Sequence, residues 1–105
     1  MKFIMNNRDW EIKEKDEKEM QDYMNDKENS YFGLTIRSEQ EIWLNKDLVK
    51  GQKRQTLMHE LMHCYVSCFI SLQELTYNEE SICDISANAH DIIEEITRDY
   101  FNTKD

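Results

Sequence analysis

Residues 52–72 read QKRQTLMHELMHCYVSCFISL, and this stretch decides the fold. Its apolar residues recur every three or four positions, which predicts a long helix with one apolar face. Those residues are Leu57, Met58, Leu61, Met62, Tyr65, Cys68, Phe69 and Leu72. A face of this kind is buried against other elements, so the neighbouring segments are expected to pack on it.

A second long helix is expected after the first. Thr76 and Glu79 form a capping box, S/T-x-x-E, which marks its start. The short connection over 72–76 would fold this helix back antiparallel to the first. Its apolar face consists of Ile82, Ile85, Ala89, Ile92, Ile93, Ile96 and Tyr100.

The first half of the chain predicts short strands. Residues 3–5 and 10–12 are apolar segments on either side of the turn-forming pair Asn6-Asn7. Alternation in 31–36 and 41–44 predicts two further strands, with 37–40 as a polar hairpin loop.

One helix is predicted between these strands. Residues 13–29 are densely charged, and Met20, Tyr23 and Met24 at i, i+3 and i+4 form a narrow apolar stripe, as on a surface helix. The chain is therefore predicted to be a single α+β domain over 1–105. Three to four short strands in a small mixed or antiparallel sheet would pack against the two long helices.

Composition excludes several classes of function. The 105 residues contain 13 Lys and Arg against 22 Asp and Glu, a formal net charge of −9, which disfavours nucleic-acid binding. No apolar run approaches the roughly 20 residues of a membrane span, so no membrane partner is expected. The N-terminus lacks the pattern of a signal peptide, which predicts a cytoplasmic protein. The odd cysteine count of three predicts free thiols.

The first long helix contains the motif H-E-x-x-H, formed by His59, Glu60 and His63. Histidines at i and i+4 lie one turn apart on one helix face, so their imidazoles can converge on one zinc ion. Glu60 would lie beside the metal without ligating it, and could take a proton from water and pass it to a leaving amine. The motif therefore predicts zinc-dependent hydrolysis.

A catalytic zinc needs a third protein ligand, and the second helix offers three carboxylates. Glu80 is favoured, because Glu79 is used locally in the capping box. Asp84 follows Glu80 at i+4 and is placed to accept the N–H of a ligating histidine. Glu79 or Asp84 as the ligand itself stays an open alternative.

Other residues near the motif are weaker candidates. Tyr65, Tyr77 and His90 are possible donors to a transition-state oxyanion. Cys64 and Cys68 at i, i+4 could join His63 in a metal or redox site, but such cysteines are more often small buried hydrophobes. Cys83 has no assigned role.

The segments HELMH (59–63) and NEESICD (78–84) together resemble the gluzincin pattern, HExxH on one helix and ExxxD on the next. In size and element order the chain is similar to the minigluzincins, and 42–63 resembles the small ImmA/IrrE-like metallopeptidases of phages and mobile elements. The resemblance implies one zinc per chain, held by His59, His63 and Glu80, with Glu60 as catalytic base. It also implies a regulatory or repressor protein as substrate, bound as an extended peptide along an edge strand at 41–45.

Two non-catalytic alternatives remain. A phage-type acidic protein on this scaffold could inhibit or sequester a host protein by covering a basic surface. A zinc ion could also act mainly to stabilise a marginal fold. For any of these functions a monomer or a weak homodimer is expected.

Overall fold

The computed structural model describes the backbone of residues 1–69 and 79–104, and the side chains of 1–69 and 86–103. It shows an α+β fold, as predicted, with a four-stranded mixed sheet and, within the described residues, three helices. The elements in chain order are β1 (Lys2–Met5), β2 (Arg8–Lys15), α1 (Glu17–Met24), β3 (Gly33–Ile36), β4 (Glu41–Asn45), α2 (Lys50–Phe69) and α3 (Glu79–Lys104).

The strand order in the sheet is β1-β2-β4-β3. Strands β1 and β2 pair antiparallel through a tight turn, in which Asn6 and Asn7 have positive φ. Asparagine tolerates that conformation, and two such residues form the turn that suits a two-residue hairpin. Strands β3 and β4 pair antiparallel, and β4 pairs parallel with β2.

The prediction that residues 41–45 form an edge strand is wrong. Strand β4 lies inside the sheet, paired on both sides, so it has no free edge for a peptide. In the described part of the chain, the edge strand next to the HExxH helix is β3. The error arose because a hairpin does not reveal which of its two strands will pair with a third.

The inner face of the sheet packs against α2 and α3 and forms the core. Strand residues and helix residues share this core, and all of them are buried: Phe3, Met5, Trp10, Ile12, Ile42, Leu44, Leu57, Leu61, Cys64, Tyr65, Cys68, Ala89, Ile93, Ile96 and Tyr100. Most of the helical members belong to the predicted apolar faces, but Cys64 was not predicted and the predicted Phe69 is 38% exposed. The periodicity of apolar residues therefore located most of the described helical core.

The outer face of the sheet carries α1. Met20 of α1 is fully buried there, and Tyr23 meets the Trp43 ring edge-on at 4.9 Å between centroids. The helix is shorter than the predicted 13–29, because residues 13–15 continue β2. Asp16 caps α1 in a reciprocal capping box with Glu19, and Asn25 ends it in the left-handed conformation. Those two signals, rather than charge density, set the bounds of the helix.

The two long helices run antiparallel, and polar contacts tie both to the sheet. Lys53 near the start of α2 and Tyr100 near the end of α3 both bind the Glu14 carboxylate of β2. Asn88 of α3 also donates a hydrogen bond to the hydroxyl of Tyr65 of α2 at 2.6 Å, which joins the two helices to each other. Burial raises the pKa of Tyr100 to about 12, so its hydroxyl stays a neutral donor at physiological pH.

The bounds of the helices differ slightly from prediction. Helix α2 begins at Lys50, two residues before the predicted start. The predicted capping residue Thr76 and the connection over 72–76 lie outside the described residues. None of the described helices combines the length and apolarity that crossing a membrane would require.

The contacts of Glu14 predict a large effect of its removal. We expect Glu14→Ala to lower the free energy of unfolding by about 2 kcal/mol, because Lys53 and Tyr100 lose a shared charged acceptor. Urea denaturation measures this. Glu39→Ala is the control, since it removes an exposed carboxylate and is expected to change stability by less than about 0.5 kcal/mol. Equal effects of the two substitutions would contradict the role assigned to Glu14.

Candidate functional site

The two histidines of the motif lie on the solvent side of α2. His59 and His63 are both exposed, and their ring centroids are 4.9 Å apart. The spacing follows from the helix, since residues four apart are neighbours on one face. Two exposed imidazoles at this separation suit shared coordination of one metal ion.

Glu60 points toward the sheet and is nearly buried, with 8% of its surface exposed. The hydroxyl of Thr35 on β3 donates to Glu60 Oε1 at 2.8 Å and also contacts the Glu60 carbonyl oxygen at 3.2 Å. This bond holds the carboxylate between the helix and the strand. The motif predicts that Glu60 lies beside a metal ion. The structure adds the hydrogen bond from Thr35 that orients its carboxylate.

Gly33 is what allows β3 to approach α2 so closely. A Cβ atom at this position would lie 2.7 Å from Thr56 Cγ2 and 3.0 Å from Glu60 Cγ. Both distances are shorter than ordinary contacts between carbon atoms. Glycine inside a strand often marks such an approach, so this signal was present in the sequence.

The outer edge of β3 presents main-chain groups beside Glu60. The amide of Asn45 donates to the carbonyl of Phe32 at 2.8 Å, which fixes the hydrogen-bonding alternation between β3 and β4. By that alternation Leu34 bonds to Trp43 of β4, and the amides and carbonyls of Gly33 and Thr35 point away from β4. An extended peptide could pair with these groups.

Two clefts flank Glu60. One has a volume of about 410 Å³ and a wall of mixed polarity that includes Gln52, Gln55 and His59. The other, of about 580 Å³, lies along β3 and reaches His63 and the exposed end of α1. Glu60 therefore lines both clefts, His59 lines the first and His63 lines the second.

The predicted third ligand is not tested by the described side chains. Glu79, Glu80 and Asp84 lie on the first turns of α3, but their side chains are outside the described part of the chain. Among the side chains that are described, no group of three His, Cys, Asp or Glu residues could hold a metal ion. The spacing of His59 and His63 is compatible with two ligands to one zinc ion. Glu80 as the third ligand stays a prediction.

The three predicted oxyanion donors fall in different places. Tyr65 is buried with its hydroxyl bonded to Asn88, and two residues along a helix turn it about 200° away from His63. His90 is exposed on α3, with Nδ1 3.7 Å from the carboxylates of Asp91 and Glu94. Tyr77 lies outside the described residues.

The cysteines of α2 are free and lie in the core. Cys64 and Cys68 are buried, on the side of the helix that faces the sheet and α3. Burial raises the pKa of the Cys64 thiol, with a smaller contribution from Cys68. Both therefore behave as small apolar residues, and the side chain of Cys83 is not described.

The sequence reasoning missed Thr35 and Gly33, which orient Glu60. It also missed the position of Tyr23 and Met24 beside the cleft along β3. These residues are distant in sequence from the motif, and the packing of β3 against α2 and of α1 against the sheet brings them near it. Comparison with protein-family models, curated proteins and solved structures gave no match.

The two glycines of the chain provide a matched test of the β3–α2 contact. We expect Gly33→Ala to lower the free energy of unfolding by about 1–3 kcal/mol, because the added methyl overpacks the contact with Thr56 and Glu60. Gly51→Ala meets nothing within 4 Å and lies in the first turn of α2, so it should stabilise by about 0.5–1 kcal/mol. Thermal unfolding measures both, and a neutral Gly33→Ala would contradict the close approach.

Burial of the α2 cysteines predicts low reactivity of their thiols. In a Cys83→Ser background, we expect Ellman's reagent to label Cys64 and Cys68 only slowly in the folded chain, because both are buried and the raised pKa of Cys64 leaves that residue little thiolate. In guanidinium chloride both should react at once. Rapid labelling of the folded protein at neutral pH would instead favour a reactive or metal-binding role.

Proposed function

We propose that this chain is a zinc-dependent metallopeptidase that hydrolyses a peptide bond in an extended segment of a protein substrate. One observation carries the proposal: Glu60 is hydrogen-bonded to Thr35 of the edge strand β3, and on the same helix His59 and His63 are exposed with ring centroids 4.9 Å apart. A base, imidazole ligands and a peptide-pairing edge are among the parts that such hydrolysis needs.

The substrate would bind by main-chain pairing. Gly33 and Thr35 direct amides and carbonyls outward, so an extended segment can add to β3 as a further strand. Pairing at this edge would bring the segment past Glu60. The cleft near Gln52 and Gln55 and the cleft along β3 would then take side chains on either side of the cleaved bond.

His59 and His63 would hold the zinc ion, with Glu80 proposed as the third ligand. When bound, zinc supplies Lewis acidity that polarises the substrate carbonyl and acidifies water. Asp84 would accept the N–H of a ligating histidine and fix its orientation.

Glu60 would act as the general base and then as the general acid. Its carboxylate accepts a proton from the attacking water and donates it to the amine that leaves, so no net proton is consumed. Thr35 holds Oε1, which assigns Oε2 to the proton transfer. Thr35 is thus a positioning residue, and its hydroxyl keeps the carboxylate aimed along β3.

The substrate class follows from the resemblance to ImmA/IrrE-like metallopeptidases. We propose a regulatory protein such as a repressor, cleaved in the cytoplasm of a cell that carries a phage or mobile element.

A second candidate function is binding without catalysis. The net charge of −9 favours a protein that covers a basic surface of a partner. This function requires neither zinc nor Glu60.

Metal content and proteolysis distinguish the two. We expect one zinc per chain in the wild type by elemental analysis, no zinc in His59→Ala and weakened loading in Glu80→Ala. His90→Ala is the matched control, because this exposed histidine of α3 is outside the proposed ligand set. Its zinc content should equal that of the wild type.

The same samples test catalysis. Glu60→Gln should retain zinc and lose cleavage of an unfolded protein such as casein by about 10²–10⁴-fold, because only the proton transfer is removed. A folded wild-type chain that binds no zinc would contradict the proposal. A structural role for zinc would be favoured if the chain unfolds when zinc is removed and cleaves no casein when zinc is bound.

A further inference from the structure

The side of β3 that faces away from α2 carries an exposed apolar surface. Tyr23 and Met24 at the end of α1 are 50% and 44% exposed, and both line the cleft along β3 together with Leu34. We call these three residues the α1 shelf. It lies beside the same strand edge that approaches Glu60, but on the opposite face of the sheet.

The α1 shelf is rigidly supported. Met20 is fully buried under α1, and the ring of Tyr23 packs edge-on against Trp43 of β4. Asn25 closes the C-terminus of the helix, with its amide bonded to the carbonyl of Asp22. Because these contacts hold α1 against the sheet, the shelf is a preformed apolar surface, and a ligand need not order it on binding.

Strand geometry determines what would contact the shelf. In a segment added to β3, successive side chains alternate between the two faces of the sheet. Side chains on one face point toward α2, as Thr35 does, and those between them lie on the face of Leu34. Every second side chain of a bound segment therefore faces the shelf.

The segment that carries Tyr23 and Met24 is acidic in sequence, while the charged residues that line the cleft itself are Arg37 and Glu60. Residues 16–28 contain six carboxylates and two lysines: Asp16, Glu17, Glu19, Asp22, Asp26 and Glu28 against Lys18 and Lys27. Hydrogen bonds from Asn29 and Tyr31 lower the pKa of Asp26, so this carboxylate is charged at neutral pH. A bound segment with basic residues beside its apolar one would be complementary in charge.

We infer that the α1 shelf selects the substrate segment, taking a large apolar side chain that is flanked, two positions away on either side, by Lys or Arg. The inference rests on the proposed function for its pairing edge, and it assigns Tyr23 and Met24 as specificity-determining residues. The occupant is an extended, basic segment of another protein.

Binding of capped peptides to the Glu60→Gln chain tests this without cleavage. The probe is Lys-Thr-Lys-Thr-Leu-Thr-Lys-Thr-Lys, in which leucine and the lysines share one face of an extended strand. One partner peptide replaces Leu by Ala, and another replaces every Lys by Glu. Fluorescence anisotropy measures the dissociation constants at low and physiological salt.

The leucine peptide should bind about tenfold more tightly than its alanine partner, since an apolar side chain is removed from water. The glutamate peptide should bind more weakly than the lysine peptide, and salt should reduce that difference. Tyr23→Ser with Met24→Ser should abolish the preference for leucine. Ile4→Ser is the matched control, because Ile4 is 68% exposed on β1 at the other edge of the sheet, and it should leave the preference unchanged.

Equal affinity for the leucine and alanine peptides, no detectable binding of either, or a preference that survives the double substitution would overturn the inference. A failure of this inference can be distinguished from a failure of the proposed function, because zinc content and casein cleavage test the proposed function separately. Zinc binding and cleavage without leucine preference would leave the peptidase proposal standing alone. Leucine preference in a chain without zinc would keep the shelf as a binding surface and remove the enzyme.

Discussion

The contact between β3 and α2 is the constraint on which the site depends. Gly33 lets the strand lie against Thr56 and Glu60, and no larger residue fits there without displacing one of them. This approach brings the hydroxyl of Thr35 within hydrogen-bonding distance of the Glu60 carboxylate. A carboxylate this buried needs a donor, because leaving it unsatisfied would cost more than the bond itself contributes. The close packing of β3 on α2 and the hydrogen bond to the Glu60 carboxylate therefore both require glycine at position 33.

The same contact divides the roles of α2 by helical position. Leu57, Leu61 and Cys64 face the core, and Glu60 faces the edge of the sheet. His59 and His63 are left on the solvent side, where a metal ion and a substrate can reach them. The ties that hold the helices down lie elsewhere, at Glu14 and at the Tyr65–Asn88 pair. Part of the stability therefore rests on residues outside the proposed site, while the contact of β3 with Glu60 contributes to both packing and the proposed chemistry.

Much of the fold was predictable from local patterns, and the errors have identifiable causes. The core faces of both long helices followed from apolar periodicity, and the Asn6-Asn7 turn followed from residues that tolerate positive φ. Charge density over 13–29 was a poor guide to a helix, since residues 13–15 belong to β2. There Lys13 pairs with Glu41 of β4, and Glu14 binds Lys53 of α2. The capping box of Asp16 and Glu19 was the better signal, because it satisfies specific amide groups at a helix start. Within the site, the spacing of His59, Glu60 and His63 fixed their shared helix, and the third ligand is still a prediction.

The sequence by itself determined the helices, their buried faces and the HExxH spacing, because each depends on residues within a few positions of one another. Only the tertiary structure decided that β4 is interior and β3 is the edge, since strand order depends on pairing between distant segments. It likewise decided that Thr35 and Gly33 meet Glu60, and that the end of α1 lies beside the same edge. Thr35 and Gly33 lie 25 and 27 positions from Glu60 in the chain. No local sequence pattern encodes contacts between residues that far apart.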